Sequence, residues 1–250
     1  MSSRRNSRVL KMVAALALLL PVVPAFAQWS GKGEAGIAIA SGNTDAKSGN
    51  AKLLIGKKVE AWEHSVGFAG NYVADDTGTT AQRFELFGQT HYQFNPRDFW
   101  FGGARYEDDR FSGFEYQAIL STGVGRKFID TDSVKFTGQI GVGYKVLETR
   151  DTIDPDTLLF IPGERETAAV LTGGFDYSNK WTETTTFFDK FGFEAASANT
   201  FLQNEIGIAV KMMDHLALAV AFAVRHNTDP PEGFKKTDTL TTVNLVYEVK

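Results

Sequence analysis

Charged side chains recur at alternate positions within stretches that are otherwise apolar. Arg83 and Glu85, Arg105, Glu115, Lys127, Lys145, Glu205 and Arg225 are placed in this way. Residues two apart on an extended chain point to the same side, so the spacing gathers acids and bases onto one surface. If that surface closes on itself, its charges must pair or stay wet, because an unpaired charge in an enclosed space is costly. Two outcomes follow: a narrow aqueous passage with walls of mixed sign, or a lattice of ion pairs that fills the interior. Phe87, Phe99 and Phe101 share the face of Arg83, Glu85 and Arg105 and weigh toward the filled interior.

Catalytic chemistry has little to work with. The four histidines are His64, His91, His215 and His226, and there is no Cys. Thiolate nucleophiles, thiolate metal sites and disulfides are therefore excluded. His64 precedes Ser65, but sequence neighbours on a strand point to opposite faces. No G-x-S-x-G elbow, H-E-x-x-H pair or glycine-rich phosphate loop occurs. No cofactor is expected, and a lipid-modifying enzyme is the remote alternative. Acids gather in and beside the long connections at Asp75-Asp76, at Glu107-Asp108-Asp109, and at Asp151, Asp154, Asp156, Glu164 and Glu166. Hard cations take oxygen ligands, but these acids lack the Gly and terminal Glu of a calcium loop, so solvated loop charge is the simpler account.

The elements that would carry these residues are strands. One face of residues 114–128 reads Phe114, Tyr116, Ala118, Leu120, Thr122, Val124, Arg126 and Phe128, while Glu115, Gln117, Ile119, Ser121, Gly123, Gly125 and Lys127 occupy the other. Residues 134–146 repeat the alternation. Twelve such segments are predicted, at 29–41, 47–58, 62–74, 81–94, 98–108, 113–129, 133–148, 165–178, 181–195, 200–212, 215–227 and 238–250. Soluble strands usually run ~5–6 residues, whereas ~9–11 tilted residues cross a bilayer. Aromatics near the segment ends, such as Tyr72, Tyr92, Tyr106 and Tyr144, match interfacial girdles. Short connections alternate with long ones. Together these features predict an all-β fold, a transmembrane antiparallel up-and-down barrel of about twelve strands with both termini in the periplasm. The ninth segment is irregular: Phe187-Phe188 breaks the alternation, and a bulge there is expected to restore it.

Residues 1–27 read as a signal peptide. They carry Arg4, Arg5, Arg8 and Lys11, no acid, an apolar run over 12–20, and an A-x-A site formed by Ala25 and Ala27. The barrel domain is then 28–250. The whole chain carries a net charge of −4, and −8 without the four cations of the leader. An acidic body argues against nucleic acid as a partner.

Three stretches carry a family resemblance. They are Ser41-Gly42-Asn43-Thr44-Asp45, Arg105-Tyr106-Glu107-Asp108-Asp109-Arg110-Phe111-Ser112-Gly113-Phe114, and Asp229-Pro230-Pro231-Glu232-Gly233 followed by Lys236-Thr237-Asp238-Thr239-Leu240-Thr241-Thr242. On these residues the chain resembles the YdiY-like salt-induced outer-membrane protein family, over essentially all of 28–250. The resemblance implies an outer-membrane barrel and a salt response, with no substrate and no catalytic residues. One departure is the last aromatic, Tyr247, which lies three residues from the end, where outer-membrane barrels usually finish on an aromatic.

The resulting expectation is a non-enzymatic bacterial outer-membrane barrel related to envelope or salt stress, with a small diffusion channel as the alternative. Its partners would be outer-membrane lipid, lipopolysaccharide and the outer-membrane assembly machinery, and it would be a monomer. Glu107, Asp108, Asp109, Arg110, Phe111, Gly113 and Phe114 are expected to form a mouth loop, with Phe111 folded back onto the rim and Arg110 paired with acids.

Overall fold

Period-two patterning becomes strand wherever the chain can be followed. The structure, a computed structural model, describes residues 29–41, 46–74, 80–109, 114–153, 159–197, 199–231 and 234–249. The cleavage residues Ala25 and Ala27, and Arg110, Phe111 and Gly113 of the expected mouth loop, lie outside the described residues. The strands are β1 (Trp29–Ser41), β2 (Ala46–Val59), β3 (Trp62–Ala74), β4 (Thr80–Gln93), β5 (Asp98–Asp109), β6 (Phe114–Asp130) and β7 (Val134–Thr149), then the two-residue β8 (Thr152–Ile153) and β9 (Phe160–Ile161). They continue with β10 (Arg165–Lys180), β11 (Thr185–Ala195), β12 (Thr200–Met213), β13 (Leu216–Asn227) and β14 (Thr237–Val249).

Twelve of these form a closed barrel in the order β1-β14-β13-β12-β11-β10-β7-β6-β5-β4-β3-β2. Each neighbour pair is antiparallel, and the seam between β1 and β14 is paired from Gly31↔Val249 to Ser41↔Thr239. Closure leaves no strand edge unpaired, which is what a hydrocarbon environment requires of a sheet. The small β8–β9 hairpin decorates the long connection between β7 and β10.

The irregular ninth segment differs from expectation. Its strand, β11, begins at Thr185, and residues 181–184 form the turn. There is no bulge at Phe187-Phe188: the pairing runs unbroken with β10 and with β12. Phe187 simply faces outward, against Trp181 and Tyr177, while Phe188 faces the lumen near Lys190. The register shifts lie elsewhere, between Lys211 and Met213 and, on β6, between Phe114 and Tyr116 and between Lys127 and Ile129.

The packed core is the inside of the ring. Outward residues such as Leu120 and Val142 are 67% and 61% exposed, whereas Phe99 and Phe101 on the lumen face are each 2% exposed. Glycine makes room for these rings. Gly125 pairs with Phe99 and Gly67 with Phe87, and a Cβ on either glycine would fall 2.2 or 2.3 Å from the opposing ring. On the outside, aromatics cluster at both ends of the wall. Trp62 packs on Tyr92, His64 and Trp100 at the short-turn end, and Tyr106 stacks on Tyr116 at the long-loop end. Interfacial belts of this kind fix the depth of a barrel in its membrane.

Candidate functional site: the charge lattice in the lumen

The lumen face of β5 carries Phe99, Phe101, Arg105, Glu107 and Asp109 in period-two order, because the strand runs on to Asp109. Glu107 is fully buried. Its Oε2 accepts hydrogen bonds from Arg83 Nη2 on β4 at 3.0 Å and from Arg105 Nη1 at 2.8 Å. Its Oε1 accepts from Arg225 Nη2 on β13 at 2.6 Å. Arg225 Nη1 also donates to Asp109 Oδ2 at 2.7 Å, and Arg83 Nη2 donates to Glu85 Oε2 at 2.6 Å. Arg105 Nη2 continues the lattice to Glu194 on β11, whose Oε2 accepts from Lys145 Nζ on β7 at 2.9 Å.

Four cations (Arg83, Arg105, Lys145, Arg225) thus meet four carboxylates (Glu85, Glu107, Asp109, Glu194), and the cluster is neutral. Phe201 on β12 lies beneath three of the cations. The Arg225 and Arg105 guanidinium carbons sit 5.0 and 5.7 Å from its ring centre, and Lys145 Nζ 5.6 Å. A ring face carries negative quadrupole charge, so Phe201 gives the lattice an apolar floor that still attracts its cations. Charge-assisted bonds at 2.6–3.0 Å are the strong class, and every carboxylate in the cluster has at least one.

The strands that meet here are not neighbours. β5 and β13 stand six places apart in the ring of twelve, so the Glu107–Arg225 pair crosses the lumen along its diameter. Below it the passage is narrowed further by Phe99 and Phe101, by His91 stacked on Phe99 at 4.6 Å, and by Gln89, whose Nε2 donates across the lumen to Gln139 Oε1 at 3.3 Å.

The expected lumen residues separate in the structure. Arg83, Glu85, Arg105, Lys145 and Arg225 come together in the lattice. Lys127 and Glu205 are half-buried on the inward face away from it, Glu205 opposite Lys190. Glu115 is exposed, because the shift between Phe114 and Tyr116 turns it out and buries Phe114, which is 4% exposed. Of the expected mouth-loop acids, Glu107 and Asp109 belong to the lumen wall. Asp108 faces outward and accepts from Arg150 Nη2 at 3.2 Å. The sequence reading omitted Glu194 and Phe201. The face of Glu194 follows from parity only once the register of β11 is known, and the Phe187-Phe188 break hides it, whereas Phe201 shares the parity of Glu205 on β12 and could have been placed inward from it.

The histidines are dispersed. His64 Nδ1 pairs with Thr90 Oγ1 at 2.8 Å on the outer wall, His215 Nδ1 with the Glu248 carbonyl at 2.9 Å, and His226 Nδ1 with Thr237 Oγ1 at 2.8 Å. Among the described residues no group of three or more His, Cys, Asp or Glu side chains could hold a metal ion.

The family described as "Protein of unknown function, DUF481" matches residues 33–249. The Escherichia coli (strain K12) protein described as uncharacterized protein YdiY is 25% identical over 228 residues, which cover 88% of this chain and 83% of the relative. Among solved structures, the translocator domain of the autotransporter NalP from Neisseria meningitidis superposes with a TM-score of 0.56 at 13% identity, covering 97% of this chain and 94% of that one. The NanC porin superposes with a TM-score of 0.53 at 8% identity, covering 88% and 100%. At these identities the two structures speak for the fold: a closed barrel of the outer-membrane kind.

Proposed function

The chain belongs to the DUF481 family, and we propose that this outer-membrane barrel is a non-enzymatic envelope protein whose lumen is kept shut by the charge lattice. The observation that carries this reading is the Glu107–Arg225 pair, which ties opposite walls together at 2.6 Å. A solute would have to break that pair and strip the fully buried Glu107 of one of its three guanidinium partners, a costly step. Buried pairs are screened by salt far less than exposed ones. The closure should therefore survive high ionic strength, which fits a protein of the salt-stressed envelope.

The long loops are proposed to face outward and both termini the periplasm, on the alternation of short turns with long connections. The barrel is proposed to act as a monomer, since its seam leaves no edge for a second copy to extend, and to meet membrane lipid and the assembly machinery as its partners. Planar-bilayer recording tests the reading. The wild-type barrel should show no unitary conductance in low or high salt, and Glu107→Ala with Arg225→Ala should.

A second reading, a small diffusion channel, is favoured by one feature. The inward face of β13 is built from Ala217, Ala219, Ala221 and Ala223, so that side of the lumen carries little bulk beneath Arg225. Stable conductance steps in the wild-type barrel would select it.

A further inference from the structure

A second site lies on the outer wall, away from the lattice. Gly88, Ala104 and Ala118, on three successive strands, form the floor of a depression of about 520 Å³. Leu86, Leu120 and Tyr144 are among the larger side chains that rim it. Packing does not force the floor to be bare: a Cβ on Gly88 would come no closer than 3.4 Å to Val66. In a membrane this trough is filled by something apolar, and its volume and apolar lining suit a fatty acyl chain.

Above the trough the same outward face changes chemistry in an ordered way. Tyr106 and Tyr116 stack at 5.9 Å where the wall leaves the apolar band. One step higher are Arg150 and Arg165. Arg150, 29% exposed, gives one nitrogen to Asp108 at 3.2 Å, and its buried Nε has no partner among the described residues. Arg165 is exposed, opposite Glu148 in the ladder, and forms no ion pair among the described residues. Two guanidinium groups with unused donors are suited to phosphate, which Arg recognises through its fork of N–H groups. Tail, interfacial ring and phosphate-binding cation thus succeed one another along one strip of wall.

We propose that this strip is a binding site for lipid A, one acyl chain lying in the Gly88–Ala104–Ala118 trough and a phosphate held by Arg150 and Arg165. The assignment rests on the outward orientation of the long loops proposed above, since lipid A occupies the outer leaflet.

The test uses the full barrel purified in detergent, its folding verified by heat-modifiable gel mobility, titrated with bisphosphorylated lipid A and read by native mass spectrometry. One retained lipid A per barrel is expected. Binding should weaken roughly tenfold in Ala104→Phe, which fills the trough, and in Arg150→Ala with Arg165→Ala, which leaves the trough open. Removing phosphate from the lipid should weaken binding to the wild-type barrel and change little in the double arginine variant. Equal retention by the wild type and both variants would overturn the site, as would equal retention of phosphatidylethanolamine. Orientation is read separately by labelling Leu159→Cys in intact cells. Labelling without lipid A retention refutes the site alone, whereas absence of labelling refutes the orientation and the lipid A assignment with it.

Discussion

Glu107 on β5 and Arg225 on β13 hold one another across the full width of a twelve-stranded ring, at 2.6 Å and 118 residues apart in sequence. Neither side chain could be replaced by solvent without rebuilding its neighbours, because Glu107 also anchors Arg83 and Arg105.

The losses from removing each partner should therefore not add. Glu107→Ala alone leaves three guanidinium groups short of a carboxylate, and Arg225→Ala alone leaves a fully buried carboxylate short of a cation. Losses of about 3–5 kcal/mol are expected for either single change. The double variant should lose less than the sum of the two. A double-mutant cycle on guanidinium unfolding, followed by heat-modifiable gel mobility, reads the difference. Simple additivity would show that the pair is not coupled.

Glu115 provides the contrast from the other side of the same loop. It is exposed and lies outside the lattice, so Glu115→Ala should change stability by no more than about 0.5 kcal/mol. The same unfolding experiment decides the matter, and a loss comparable to that of Glu107→Ala would place Glu115 in the wall after all.

The facing of β6 and β7 predicts a second contrast. Leu120 and Val142 point outward, 67% and 61% exposed, so Leu120→Arg and Val142→Arg would set a charge against lipid. About 2–4 kcal/mol is expected for each near the midplane. Gln139 points inward and bonds Gln89, so Gln139→Arg should be tolerated better. Comparable loss of the compact gel form in all three would contradict the register.

Phe99 and Gly125 form a matched pair. Gly125→Val would drive a side chain into the Phe99 ring, which lies 2.2 Å from the ideal Cβ position. A destabilisation of about 1–3 kcal/mol is expected from overpacking. Adding Phe99→Leu should recover part of it. Absence of rescue would mean that the strand backbone, not the ring, is what the valine offends.

Gln28 is expected as the first residue of the exported protein, from the spacing of Ala25 and Ala27. Intact-mass measurement of the chain purified from outer membranes checks this directly, and a mass that retains residues 1–27 would refute it.

The ring itself was legible in the sequence because alternation is a local property: a lipid-facing side chain must be apolar whatever its partners. The predicted segments 29–41 and 62–74 match β1 and β3, and the other segments begin or end within a few residues of their strands. The lattice was legible only in part. Arg83, Glu85, Arg105, Lys145 and Arg225 could be placed on the inward face one strand at a time. Which of them meet depends on ring order and stagger, which no single strand encodes. Glu107 and Asp109 resembled loop acids because they precede a loop, although the odd-numbered series from Phe99 already pointed them inward. Glu115 was misplaced because a register shift carries no compositional mark, and Glu194 was lost because two consecutive phenylalanines made the parity of β11 ambiguous.

The seam between β1 and β14 joins the first and last strands of the described chain. Loss of β14 would therefore expose a full row of backbone donors and acceptors to hydrocarbon on β1 and β13, and loss of β1 would do the same on β14 and β2. Before the ring closes, the charges that meet inside are still separately hydrated, since β5 and β13 can reach each other only when the wall has curled round. Completion of the ring and burial of its charges are thus one event, reached when β14 pairs with β1.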